Sequence, residues 1–279
     1  MIEWTFDREI YSIGFVTIRY YSLFFVISFL LGIVIMKRIF VAENKPHTDV
    51  DDLLVYTMVG TVLGARLGHV LFYNPGFYFS NPIEILKVWE GGLASHGAAI
   101  GILLALHYFI KHKKIYNYLW LVDRVVITVA LAAFFIRTGN LFNSEIIGKA
   151  TTVPWAFKFS RYVDNVPRHP TQIYEALAYI ILFVVLAKIY SAKKEKSPPG
   201  LLLGLFLVGN FGFRIFVEFF KKNQEAFEAG MILNMGQILS VPLVLLGIYM
   251  IYTSRTRPIP EPIKMPKERK QNKRKKKQD

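Results

Sequence analysis

Apolar runs close to 20 residues recur along the chain around residues 20–40, 53–73, 93–110, 119–136, 172–190, 200–220 and 236–252. A helix needs about that length to cross roughly 30 Å of hydrocarbon, so the pattern predicts seven transmembrane helices. The second and third runs are interrupted by glycines and polar residues, which leaves either of them open to being partly re-entrant. The expected class is therefore an all-α, polytopic integral membrane protein, with a transmembrane unit over 1–254 and a small head over about 139–171, between helices four and five. Composition agrees: of 279 residues 53% are hydrophobic and 15% aromatic, and the mean hydropathy is +0.34, more apolar than an ordinary soluble domain.

Polar residues inside this pattern set the local expectations. Gly60, Gly64 and Gly68 fall at four-residue spacing, so one face of the second helix is bare enough for a neighbouring backbone to approach. Arg66 lies between two of them and is expected at the rim of that packed pair. Tyr73-Asn74-Pro75-Gly76 reads as a turn. The third run opens on Gly91-Gly92 and His96-Gly97, which gives His96 small neighbours. Pro170 is expected at the first position of the fifth helix, and Arg214 and Glu218, four apart, on one face at the end of the sixth.

Charge then orients the chain. Lys37, Arg38 and Lys45, then Lys111, Lys113 and Lys114, then Lys188, Lys193, Lys194 and Lys196, and finally the tail fall on one set of connections, which the positive-inside rule makes cytoplasmic. The N-terminus and the 139–171 connection then face outward. The first ten residues carry Glu3, Asp7, Arg8 and Glu9 without a basic leader region, so no cleaved signal peptide is expected. Eleven of the 34 Lys and Arg residues lie beyond residue 254. Beside a final transmembrane helix such a run reads as a disordered anionic-lipid anchor and topology signal, and no nucleic-acid partner is expected. The absence of cysteine excludes a disulfide and a thiolate nucleophile of the chain's own. The six histidines are too dispersed for a metal site, and no cofactor is expected.

The most expensive polar group follows the fourth run. Arg137-Thr138-Gly139-Asn140-Leu141-Phe142-Asn143-Ser144-Glu145-Ile146-Ile147-Gly148 sets a cation, two amides and a carboxylate against hydrocarbon, where an arginine costs roughly 2.5–3.5 kcal/mol on insertion scales. Arg66, Arg137 and Arg214 fall near the outward ends of their helices, with His96 and Glu145 on the same side. The planar guanidinium fork matches phosphate oxygens, so the set suggests a polar cavity for a phosphorylated lipid headgroup. Asn140 and Asn143 could donate to glycerol or phosphate oxygens, and Gly139 and Gly148 would let the backbone come close. On the residues alone, a carrier for anionic lipids or solutes and a non-enzymatic lipid-binding scaffold remain alternatives.

The segment 137–148 closely resembles the signature of the prolipoprotein diacylglyceryl transferase family. Tyr20-Tyr21, Gly64-Ala65-Arg66-Leu67-Gly68, Phe72-Tyr73-Asn74-Pro75, Glu90-Gly91-Gly92, His96-Gly97, Arg168-His169-Pro170-Thr171-Gln172-Ile173-Tyr174-Glu175 and Arg214-Ile215-Phe216-Val217-Glu218-Phe219-Phe220 extend the resemblance over most of the chain. It implies a seven-span fold with a periplasmic head in the bacterial inner membrane, N-terminus periplasmic and C-terminus cytoplasmic. It also implies transfer of the diacylglyceryl group of phosphatidylglycerol to the lipobox cysteine of a preprolipoprotein, carried by its signal peptide, with formation of a thioether and release of glycerol phosphate. By position the functional residues would be Tyr21, His96, Arg137, Asn140, Glu145, Gly148, Arg214 and Glu218, joined on the residue reading by Arg66 and Asn143. The chain departs from the family pattern at Thr138, often isoleucine, at Lys149, often arginine, and at Asn210, often tyrosine.

Overall fold

The computed structural model describes residues 1–13, 16–162, 164–222 and 230–259. It is mostly helical, with α1 at Tyr20–Ala42, α2 at Asp49–Phe72, the short α3 at Pro75–Ser80, α4 at Ser95–Lys113, α5 at Tyr118–Asn143, α6 at Thr171–Lys193, α7 at Leu201–Val217 and α8 at Met235–Ser254. Six of these regions are long and apolar enough to cross a membrane: Tyr20–Ala42, Asp49–Phe72, Tyr118–Asn143, Thr171–Lys196, Leu201–Phe220 and Met235–Ser254. The chain is a multi-pass membrane protein. α4 falls outside that group because His96 and His107 and the basic last turn, Lys111, His112 and Lys113, dilute its 19 residues.

Capping residues account for several helix ends. Asn117 accepts from the backbone N–H of Leu119 and Trp120 and starts α5, while Asn234 and Gln237 form a capping box at the start of α8. α7 is capped from another helix. The fully buried Asp123 of α5 accepts from Gly200 N at 2.7 Å and Leu203 N at 2.8 Å, placing a carboxylate on the helix N-terminus. α5 runs seven residues past the expected end of its apolar stretch and closes at Ser144 in the left-handed conformation. Arg137, Gly139 and Asn140 are therefore helical instead of opening the connection. Pro170 sits one position earlier than expected, as the residue before the first turn of α6.

Packing follows the small residues. α2 and α4 run antiparallel, Gly60 against Gly101 and Ala105, and Gly68 against Gly97; a Cβ added at Gly60 would lie 2.6 Å from the Gly101 carbonyl oxygen. α7 and α8 meet in the same way at Gly204 and Gly247. α5 takes α1 on one side and α6 on another. The main core lies toward the end where α1 finishes and α5 begins, built from Phe40, Leu106, Phe109, Trp120, Leu121 and Leu202 among others. There Tyr116 donates to Asp49 at 2.6 Å, so α2 and α5 start side by side.

At the opposite end a small second core, Leu141, Ile147, Phe157 and Phe159 with Trp4 and Ile173 against it, caps the helices. Strand β1 at Ile2–Trp4 pairs in parallel with β4 at Phe157–Phe159, and β2 at Glu9–Ile13 pairs antiparallel with β3 at Val16–Arg19. These strands are short additions to the helical class. They place the N-terminus on the segment between α5 and α6, where the terminal amine reaches the Pro154 carbonyl at 2.8 Å. The basic tail from residue 260 lies outside the described residues. Just before it, Arg257 donates to the Pro199 carbonyl at 3.0 Å.

Candidate active site

At the capped end of the bundle, α5, α6 and α7 bring a chain of charged groups together. Arg137 donates through Nη1 to Asn140 Oδ1 at 3.2 Å. Asn140 donates in turn to Glu145 Oε2 at 3.3 Å, and Asn143 reaches the other oxygen at 3.2 Å. One amide hydrogen of each asparagine remains for another acceptor. On the inner side, Arg137 Nε lies 3.1 Å from Glu175 Oε2, an ion pair whose orientation falls short of a hydrogen bond.

Glu175 is fully buried, and so is the lysine beside it. Lys221 Nζ stands 3.0 Å from Glu175 Oε1 and 3.0 Å from Glu218 Oε1, bridging the two carboxylates. Glu218 also accepts from Asn234 at 3.0 Å and pairs with Arg214 Nε at 3.5 Å. The expected i, i+4 pair is thus present. Buried ions persist when their partners compensate the loss of water, and here two carboxylates hold three cations. Among the described residues of this network Glu145 adds one further negative charge, and it is exposed. The Arg214 side chain is 38% exposed, and among the described residues its two Nη groups donate to no protein acceptor.

Two glycines set how closely the surroundings fit. Gly139 faces Tyr21 of α1, whose ring carbon would be 2.8 Å from an added Cβ, and Tyr21 lies within electrostatic reach of Glu145 and Arg137. Gly148 presses on the His169 backbone, accepting no side chain without displacing the carbonyl, and its N–H donates to that carbonyl at 3.1 Å. Burial holds the His169 imidazole below the ordinary histidine range, and its Nδ1 is 3.1 Å from the Tyr174 hydroxyl. Gln172 Nε2 donates to the Glu145 carbonyl at 2.6 Å and Thr171 to the Ile146 carbonyl at 2.9 Å, fixing the turn that carries Glu145.

Two sequence candidates stand apart from this network. Arg66 is 4% exposed, and its guanidinium is used up inside the protein. Nε donates to Ile85 O at 2.9 Å, Nη1 to Gly91 O at 2.7 Å and Gly92 O at 3.2 Å, and Nη2 to Glu84 O. It is not a rim cation available to phosphate; it ties down the connection that leads to His96. The cause is local, because the 82–92 connection folds back over α2 and needs donors for its carbonyls. His96 opens α4, is exposed, and makes ring contacts with Phe72 and Tyr73 at centroid distances of 5.2 and 6.0 Å. No contact joins it to Arg137, Asn140 or Glu145 among the described residues.

Residue reasoning missed Glu175, Lys221, Gln172 and Asn234 as members of the site. Glu175 sits in the quoted 168–175 motif and Lys221 directly after the 214–220 motif, so proximity to both was the available signal. Asn210, where the family often has tyrosine, stands on α7 one turn before Arg214, half-buried.

The family model described as prolipoprotein diacylglyceryl transferase matches residues 8–253. The chain belongs to this family. It is similar to the phosphatidylglycerol–prolipoprotein diacylglyceryl transferase of Tolumonas auensis, 46% identical over 254 residues that cover 91% of this chain and 98% of the relative. The enzymes of the same name from Chloroherpeton thalassium and Bacteroides fragilis are 44% and 41% identical, covering 91% and 90% of this chain and 94% of each relative. Family membership makes the protein a transferase of lipoprotein maturation, and the carrier and scaffold readings are not favoured.

Proposed function

We propose that the protein transfers the diacylglyceryl group of phosphatidylglycerol to the lipobox cysteine of a preprolipoprotein, with the headgroup phosphate held between Arg137 and Arg214. The substrate classes are those in the relatives' names. The observation that carries the site is the surplus of cations around Glu175 and Glu218 with Arg214 left undersupplied with acceptors. In the reaction the substrate thiol loses its proton, its sulfur attacks the glycerol carbon bearing the phosphate, the carbon–oxygen bond breaks, and glycerol phosphate leaves. A C–S thioether replaces the ester link. The two guanidinium groups stabilise charge that grows on the leaving phosphate, and Lys221, Glu175 and Glu218 hold them in place before substrate arrives.

Asn140 and Asn143 use their remaining amide hydrogens on the glycerol headgroup, Tyr21 closes the α1 side, and Gly148 keeps the backbone tight beneath Glu145. For the proton, His96 is the proposed acceptor. Both Glu145 oxygens already accept amide hydrogens, whereas the His96 ring nitrogens have no hydrogen-bond partner among the described residues. An imidazole also lies closer to a thiol in reference pKa than a carboxylate does. The peptide would then lie between the start of α4 and the end of α5. Purified His96→Gln should lose about 10²–10⁴-fold in transfer rate, the usual worth of a general base, with phosphatidylglycerol affinity retained. An unchanged rate assigns the proton elsewhere.

The placement reading belongs to the same proposal. α2 and α5 start side by side, and α4 connects the far end of α2 back to the start of α5, which supports α4 as a seventh span. The basic connections favour a cytoplasmic location for that starting end, and with it a reading in which the segment 144–170, with the N-terminus docked on it, faces the periplasmic side of the inner membrane.

A further inference from the structure

A cavity lies at the other end of the bundle, about 20 Å from Arg137 along α5 at 1.5 Å per residue. It has a volume of about 580 Å³ and draws on three separate connections, with Lys45, Lys114, Lys196 and Ser197 among its lining residues. Trp120, Tyr116, Pro199 and Ile259 give it an apolar wall. Its internal ion pair is complete. Arg124, 1% exposed, is bonded to both Glu43 oxygens, at 3.0 and 3.2 Å, and Trp120 Nε1 donates to Glu43 at 2.6 Å.

The other groups lack such partners. Lys45 is only 5% exposed, yet among the described residues no carboxylate lies within ion-pair distance of its ammonium, which sits 5.6 Å over the Trp120 ring. Burial holds its pKa below the ordinary lysine value, against the opposing pull of Glu195 and Glu43. Ser197 is 2% exposed and its hydroxyl has no partner. With Arg124 and Glu43 paired to each other, the cavity lining keeps three lysines, Lys45, Lys114 and Lys196, against the one carboxylate of Glu195, together with a buried hydroxyl.

We infer that this cavity binds a phosphate ester, with Lys45 and Ser197 as its buried ligands and Lys114 and Lys196 at its mouth. Its position where α1 ends and α5 begins, and its aromatic wall, suit the headgroup of an anionic phospholipid in the adjacent leaflet. A soluble phosphate is the other source of the same chemistry. The site is separate from the Arg137 cluster, so it stands or falls independently of the transferase reading.

The test uses the full chain in a neutral detergent, following tryptophan fluorescence during titration with phosphatidic acid, with inorganic phosphate and with phosphatidylcholine. Trp120 is one of four tryptophans, and Trp120→Phe identifies its share of the signal. A saturable change with phosphatidic acid, weakened at least tenfold in Lys45→Glu and absent with phosphatidylcholine, supports a lipid headgroup. The same pattern with inorganic phosphate supports a soluble ligand. No saturable change with either, or equal affinity in Lys45→Glu, overturns the site. Native mass spectrometry gives a second reading that needs no tryptophan variant: lipid adducts retained by the wild-type chain and lost from Lys45→Glu, at unchanged thermal midpoint, support it, and equal adducts overturn it.

Discussion

Gly148 shows how little room the site leaves. Its Cα lies against the His169 backbone, so an alanine methyl would have to move a carbonyl that itself accepts the Gly148 N–H. Gly148→Ala should cost about 1–3 kcal/mol, the usual cost of overpacking, read as a lower thermal midpoint, with transfer rate reduced as the Glu145 turn shifts. An unchanged midpoint and rate would show that the backbone there yields freely. Arg66 argues the converse case. Its position among glycines looked like a rim in the sequence, but a guanidinium bonded to four carbonyls is a structural tie, and nothing in residue type distinguishes a donor spent on phosphate from one spent on backbone. Lys221 escaped notice for a related reason. A lysine after an aromatic run reads as a snorkelling anchor, and only the fold shows Glu175 arriving from α6 to bury it.

The helices were the most legible part of the chain, because hydrocarbon thickness imposes a length that apolar runs must meet. The α2 glycine spacing also predicted a close backbone neighbour, and α4 supplies it at Gly97 and Gly101. Gly64→Leu should force these helices apart, since the opposing atoms are backbone and cannot rotate away. The expected result is loss of folded protein or a drop of the thermal midpoint by several degrees, and a midpoint equal to wild type would show that the pair is not held by that approach. Helix ends were less legible. α5 continues through Arg137, Gly139 and Asn140 because its polar side chains meet α6 and α1 instead of lipid, and Asp123 caps α7 from across the bundle, a contact that no local pattern reveals.

Across the whole molecule, opposite ends carry opposite tasks. One end packs an aromatic and aliphatic core, with paired charges at Glu43–Arg124 and Asp49–Lys113, beside the cavity at Lys45 and Ser197. The other gathers Arg137, Arg214, Lys221 and their carboxylates beneath a small cap. The measurement that tests this account most directly is transfer from labelled phosphatidylglycerol to a lipobox peptide by the purified chain and by Arg137→Lys. Lysine keeps the charge but not the fork. The account predicts a thioether-linked diacylglyceryl peptide with an equal amount of glycerol phosphate from the wild type, and at least a hundredfold slower formation in Arg137→Lys at similar folded yield. No adduct from folded wild-type protein, or a wild-type rate in Arg137→Lys, would contradict it.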